Sequence, residues 1–375
     1  MKIIFFGLSI TSAWGNGHAT TFRALLRGLH ARGHDITFYE KNLNWYAKNR
    51  DLPAPDFCKV RIFESWDAEW KKLRPELDSA DVAVVGSYFP EGTRVLDDVL
   101  QSNATVKAFY DIDTPITLAQ LEADGETPYL KASQIPGLDI YFSFTAGPLL
   151  EKIRSKFAAQ LAIPLFCSVD PELYFRRPQA KRFTCDLSYM GTYAPDRQPK
   201  LEACLNGVAA KMPGNKFIVA GPQYPKIAWP ANVRRIKHLN PRWHAHLYSS
   251  SRFVLNVTRR DMVLAGYSPS VRLFEAAACG ATVISDNWPG LDSFFAIGDE
   301  ILIASSTADV MRYIEDIGES ESQRIGQAAL ACVLSNHSNF TRASQFESAV
   351  SSRCRAQYMP HRSRLVPLEA ATRIS

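Results

Sequence analysis

Apolar runs and helical stripes alternate along this chain from its first residues. KIIFFGL (2–8) reads as a buried strand. Ala19–Arg32 then places Phe22, Leu25, Leu26 and Leu29 at helical spacing, and Gly33 is positioned to close that helix. DITFYE (35–40), DVAVVG (81–86), VKAFYD (106–111) and LDIYFSF (138–144) follow as strands. Strand and helix in alternation predict a parallel sheet covered on both faces. VDPELYFRRP (169–178) interrupts the pattern with two prolines and clustered charge, and reads as a linker. The alternation restarts with strands at CDLSYMG (185–191), KFIVAG (216–221), RFVLNV (252–257) and ATVIS (281–285). Helices are expected near 196–211, 241–250, 269–279, 307–317 and 321–335, and a last one near 341–352. The expected fold is α/β, with two Rossmann-like domains facing a cleft. The domains are 1–170 and 179–340, followed by the helix 341–352 and a tail 353–375.

The stretch 266–295, GYSPSVRLFEAAACGATVISDNWPGLDSFF, carries the most chemistry. Ser268 suits an N-cap and Pro269 the first helical position. Gly280 suits a left-handed helix end. The first turn, Ser268–Val271, offers free N–H groups and the positive end of a dipole, a site for phosphate. Glu275 lies inside the helix among Phe274, Ala276, Ala277 and Ala278, where a carboxylate needs partners. A nucleoside diphosphate would satisfy both features, pyrophosphate at the helix start and ribose hydroxyls on Glu275. The alternative is a small-residue helix packed on a sheet, with Glu275 at its edge in water.

SPSVRLFEAAACG followed by ATVISDNWPGLDSFF resembles the C-terminal domain of group 1 glycosyltransferases, most closely the branch related to the CgeB spore-maturation proteins. The resemblance extends through GTYAPDRQP (191–199), VAGPQYP (219–225) and LNVTRRDM (255–262), and into DTPITLAQLE (113–122) and SFTAGP (143–148). It implies the GT-B architecture and glycosyl transfer from a nucleotide-activated sugar, with a UDP-sugar as candidate donor. It also implies that Glu275 holds the ribose and that the last helix crosses back to the first domain. The first domain would then be acceptor-side and the second would bind the donor. Retaining members carry a second acid eight residues before the ribose acid. Here that position is Tyr267, which leaves the stereochemical outcome open.

The loop 9–18, SITSAWGNGH, follows the first strand and opens the first helix. Gly15 and Gly17 let backbone approach a ligand, but the loop is not the G-x-G-x-x-G of nicotinamide binders. His18 at the helix start is a candidate general base, an arrangement several GT-B enzymes resemble. Its alternative is a capping or packing role. Asp113 is a second catalytic candidate, to orient His18, act as base or hold an acceptor hydroxyl, with turn chemistry as the alternative. Asp111 and Asp113 also form a D-x-D after a strand, which in the GT-A fold holds a metal. The helix site argues instead for a metal-independent reaction without cofactor. Arg259, and less strongly Arg197, are candidates to clamp the diphosphate; Arg259 and Arg260 read alternatively as solvated surface. Gly221 and Pro222 are expected near the nucleotide base. Trp14 and Trp288 are expected in cleft-side loops, Trp14 on the acceptor side.

Composition narrows the classes. The 375 residues are 46% hydrophobic and 22% charged, as in a globular protein. Net charge is +5, but the tail 353–375 holds five arginines and one glutamate. A nearly neutral body argues against nucleic-acid binding; the basic tail is a frayed end or a weak membrane contact. Seven scattered cysteines without C-x-x-C suit core positions in a reducing, cytoplasmic compartment. No apolar run is long enough to span a membrane. The competing functions are a non-catalytic nucleotide-sugar-binding protein and a sugar-nucleotide epimerase.

Overall fold

A computed structural model describes residues 1–358. Most of the basic tail lies outside the described residues. The first sheet is built from β1 (Lys2–Phe6), β2 (Asp35–Lys41), β3 (Lys59–Phe63), β4 (Val82–Gly86), β5 (Val106–Asp111), β6 (Ile140–Ser143) and β7 (Ala162–Pro164). All are parallel, in the order β3-β2-β1-β4-β5-β6-β7. The second is formed by β8 (Cys185–Met190), β9 (Phe217–Ala220), β10 (Val233–Ile236), β11 (Ser251–Asn256), β12 (Thr282–Ser285) and β13 (Leu302–Ile303). These are also parallel, ordered β10-β9-β8-β11-β12-β13. The order of strand addition reverses once in each sheet, between β1 and β4 and between β8 and β11. The crevices at these switch points, beyond the carboxyl ends of the strands, are where such sheets take ligands.

The central strands are rich in buried apolar residues because both faces are covered. Ile3, Ile4, Phe5 and Phe6 are wholly buried, and they alternate between two separate clusters on the two sides of β1. The edge strands β3 and β10 escaped the sequence reading. KVRIF and VRRI carry charge and leave their side chains partly exposed, as edges do. The predicted helix at 196–211 runs over residues 198–211, with a π-helical stretch at Glu202–Asn206.

The last helix, Asn339–Tyr358, returns to the first domain. Ala343, Phe346, Ala349 and Val350 complete the core beneath β1 and β5. Burying Phe346 alone stabilises the docking by about 2 kcal/mol. The helix sits close against Gly17–Ala31. At Gly28 any Cβ would meet the Asn339 carbonyl at 2.5 Å, so only glycine allows that approach. The two inter-domain crossings pair with each other: the Val169 N–H donates to the His337 carbonyl, and the Asn339 N–H to that of Val169. Nearer the cleft, the Thr145 hydroxyl donates to Ser268 Oγ at 2.9 Å. Tyr267, in the left-handed region at φ 47°, lies against Gly147 of one domain and Gly290 of the other.

Candidate active site

The first domain presents the loop after β1. Asn16 caps the helix Gly17–Ala31, its side chain accepting from the His18 N–H at 3.1 Å. That places the His18 ring at the cleft. Its Nε2 stands 3.8 Å from Asp113 Oδ2, with the two side chains 14% and 24% exposed. His18 Nδ1 is buried without a hydrogen-bond partner. Asp113 follows β5 as the residue before the helix Thr114–Asp124. Tyr88 closes the group, its ring edge-on to His18 at 5.2 Å between centroids. Tyr88 holds φ 62°, a costly conformation for a bulky residue that clusters at functional sites. Burial, reinforced by the charge of Asp113, pushes its hydroxyl up to about 12.

The second domain presents a denser network. Glu275 is 5% exposed and Arg272 8%. The Tyr248 hydroxyl donates to Glu275 Oε2 at 3.3 Å. The Tyr174 hydroxyl lies between the Glu275 carboxylate and His244 Nδ1, the latter at 3.3 Å. Burial pushes the Glu275 carboxyl up to about 7, against the opposing pull of Tyr174, Arg272 and Tyr248. Arg272 donates to Asn256 Oδ1 at 2.8 Å and to the Met190 carbonyl. Arg197 donates to the Thr192 carbonyl at 2.6 Å and leaves its Nε buried without a partner. Burial pulls its guanidinium below the usual value. An arginine held this way is a ready site for a bidentate anion.

Two cavities meet between these walls. One, of about 540 Å³, runs past His18, Asp113, Arg197, Arg259 and Ser268–Val271. The other, of about 370 Å³, runs past Glu275, Arg272, Tyr248, His238, Gly221 and Pro222. Gly15, Asn16, Gly17, Arg197 and Val271 line both. The narrow approach behind the second cavity depends on Gly221: at φ 144° it lies where a Cβ would come within 1.9 Å of the Gly191 carbonyl. The arrangement can hold an extended ligand with a polyhydroxyl end, a central anion and a reacting end beside an imidazole.

Residues 197–348 match the glycosyl transferase-like family. The fold points the same way. Sucrose-phosphate synthase from Thermosynechococcus elongatus is similar with a TM-score of 0.68 at 12% identity, over 95% of this chain and 100% of that one. HepE of Anabaena, in complex with UDP and glucose, is similar with a TM-score of 0.66 at 12% identity, over 94% and 100%. Trehalose-6-phosphate synthase OtsA reaches 0.65 at 12%, over 94% and 99%. No curated protein sequence matches the chain. The chain thus has the GT-B fold, and the glycosyl transferase-like match falls in its second domain.

Within this glycosyltransferase fold several expectations are corrected. The helix starts at Val271, not Pro269, and its N-cap is Ser270, whose hydroxyl accepts from the Arg272 N–H. The Ser268 hydroxyl is instead engaged by Thr145. Ser268–Val271 still line the larger cavity, and Gly280 has the expected left-handed backbone at φ 68°. Asp111 is wholly buried, accepting from Tyr141 at 2.6 Å and Thr117 at 2.8 Å. Burial raises its carboxyl to about 6. Trp288 is 3% exposed and packs on Phe294 rather than facing the cleft. Trp14 is 38% exposed and lies against His238 of the second domain at 4.3 Å. Arg259 lines the larger cavity, while its exposed neighbour Arg260 does not. Tyr267 lines neither cavity. The sequence reading missed Arg272, Tyr174, Tyr248 and Tyr88. Arg272, one turn before Glu275 in the same motif, was the legible one; the tyrosines come from distant segments with no motif of their own.

Proposed function

We propose that the chain transfers a glycosyl group from a UDP-sugar to an acceptor hydroxyl, without a metal ion or cofactor, using His18 as general base. The observation that carries this is one cavity with His18 and Asp113 on one wall and Arg197 on the other. A UDP donor is favoured because HepE, of the same fold, binds UDP and UDP-glucose. In this reading Glu275 accepts from the ribose hydroxyls. Arg197, Arg259 and the N–H groups at the start of Val271–Ala278 hold the diphosphate, supplying the positive charge that a metal would otherwise bring. The acceptor oxygen bonds to the anomeric carbon as the bond from that carbon to the diphosphate oxygen breaks. The electron pair leaves on UDP, and the acceptor proton passes to His18 Nε2, with Asp113 stabilising the imidazolium. Attack from the face opposite the leaving group inverts the anomeric centre.

An epimerase would need acids around the sugar ring, and Asp113 is the only carboxylate among the described residues lining the larger cavity. The 266–295 motif favours the CgeB-like branch. Seven unpaired cysteines favour a reducing compartment such as the cytoplasm. Among the described residues no helix is long and apolar enough to cross a membrane. The test is calorimetry with UDP beside donor hydrolysis over a panel of UDP-sugars, with product anomers read by NMR. Binding with intact donor after long incubation supports a binding protein instead. Retention of configuration removes His18 as base.

A further inference from the structure

The larger cavity divides its charge unevenly between its walls. The first domain contributes Leu8, Tyr46, Tyr88, Ile112 and Phe144, with His18 and Asp113 as the reacting pair; of its other polar side chains, Asn16 is committed to its own loop and Thr21 is 3% exposed. Both arginines of the lining, Arg197 and Arg259, come from the second domain, and no lysine among the described residues lines it.

A phosphorylated acceptor brings roughly two negative charges and needs cations paired to them. The two arginines face the position of the leaving diphosphate, and Asp113 would repel a second anion. A neutral sugar needs partners for several hydroxyls, and burying them against Leu8, Ile112 and Phe144 leaves them unpaired at a cost. We infer that the acceptor is a neutral molecule carrying its hydroxyl on an aromatic, apolar body, seated against Tyr46, Tyr88 and Phe144. This rests on the glycosyl-transfer reading. The phenolic oxygen bonds to the anomeric carbon, the carbon–diphosphate oxygen bond breaks with its electrons leaving on UDP, and the phenolic proton passes to His18.

The experiment separates the two ideas. Donor hydrolysis without acceptor, together with UDP binding, tests glycosyl transfer by itself. The UDP-sugar hydrolysed fastest is then offered with para-substituted phenols and naphthols and, separately, with glucose, glucose 6-phosphate and fructose 6-phosphate. Glycosides of the aromatic acceptors are expected at a kcat/KM at least about tenfold above any sugar or sugar phosphate. Tyr46→Ala is expected to raise the KM for the aromatic acceptor about tenfold, equivalent to the loss of ~1.4 kcal/mol of contact, and Tyr46→Phe to restore it. Preferred transfer to a sugar or sugar phosphate, or hydrolysis with no transfer to any aromatic acceptor, overturns the inference and leaves glycosyl transfer standing. An unchanged KM in Tyr46→Ala overturns the placement. Absence of both donor hydrolysis and UDP binding removes both readings.

Discussion

On the first-domain wall of the cleft, His18 and Asp113 face each other at 3.8 Å, and His18 Nδ1 has no partner. On the second-domain wall, Glu275 and Arg272 are each under a tenth exposed and tied to tyrosine, asparagine and backbone. Two carboxylates, two environments: Asp113 keeps 24% exposure, while burial raises Glu275 to about 7. The second-domain wall is preorganised before any ligand arrives, which limits the ordering cost of binding. The first-domain wall leaves His18 Nδ1 unpaired, and the proposed base would complete its geometry only with substrate in place. Binding and chemistry are therefore expected to fail separately.

The strongest test removes the first wall's reacting group. His18→Ala is expected to lower kcat by about 10²–10⁴ while UDP affinity, measured by calorimetry, stays within twofold; a matched loss of affinity would merge the walls. Next comes the pH dependence of the second wall. Between about 4.5, the ordinary value for a glutamate, and about 7, the folded chain holds a proton on Glu275 that the unfolded chain has released. Its contribution to stability therefore falls as pH rises through that window, by on the order of 3 kcal/mol, and is flat above it. Denaturant unfolding of wild type against Glu275→Gln across pH 4.5–7.5 isolates the group. Parallel curves would mean that Glu275 is ionised throughout.

A smaller effect is expected on binding. Glu275→Ala should weaken UDP by about 1.5–3 kcal/mol, the range for hydrogen bonds to a charged group, with turnover at saturating donor much less affected than in His18→Ala. Unchanged affinity in a folded variant would move the ribose elsewhere. The smallest expected effect is none: turnover should survive EDTA, because arginines and helix N–H groups offset the diphosphate charge. Loss of activity restored by manganese or magnesium would return weight to a metal-assisted departure of UDP.

Much of this was legible in one dimension. Both parallel sheets, the place of Glu275 inside its helix and the glycine loop ending at His18 follow from local rules, because buried strands are continuous apolar runs and helix ends carry their own capping chemistry. The charged edge strands β3 and β10 were hidden because partner strands, not their own residues, define them. The helix start moved from Pro269 to Val271 because a threonine 123 positions earlier engages the Ser268 hydroxyl.

The sequence by itself determined which residue types could do chemistry and where each lay relative to the nearest strand or helix end. Only the tertiary structure decided which of them meet. It sent Asp111 into the core and Asp113 to His18, because the strand ends at Asp111 and the chain has already turned toward the next helix at Asp113. It put Trp288 in the core and Trp14 at the cleft, and it turned Arg197 into a half-buried cation whose Nε has no partner. Burial and pairing are sums over neighbours distant in the chain, so the charge state of Glu275 and the apolar wall around Tyr46 exist only once both sheets are packed.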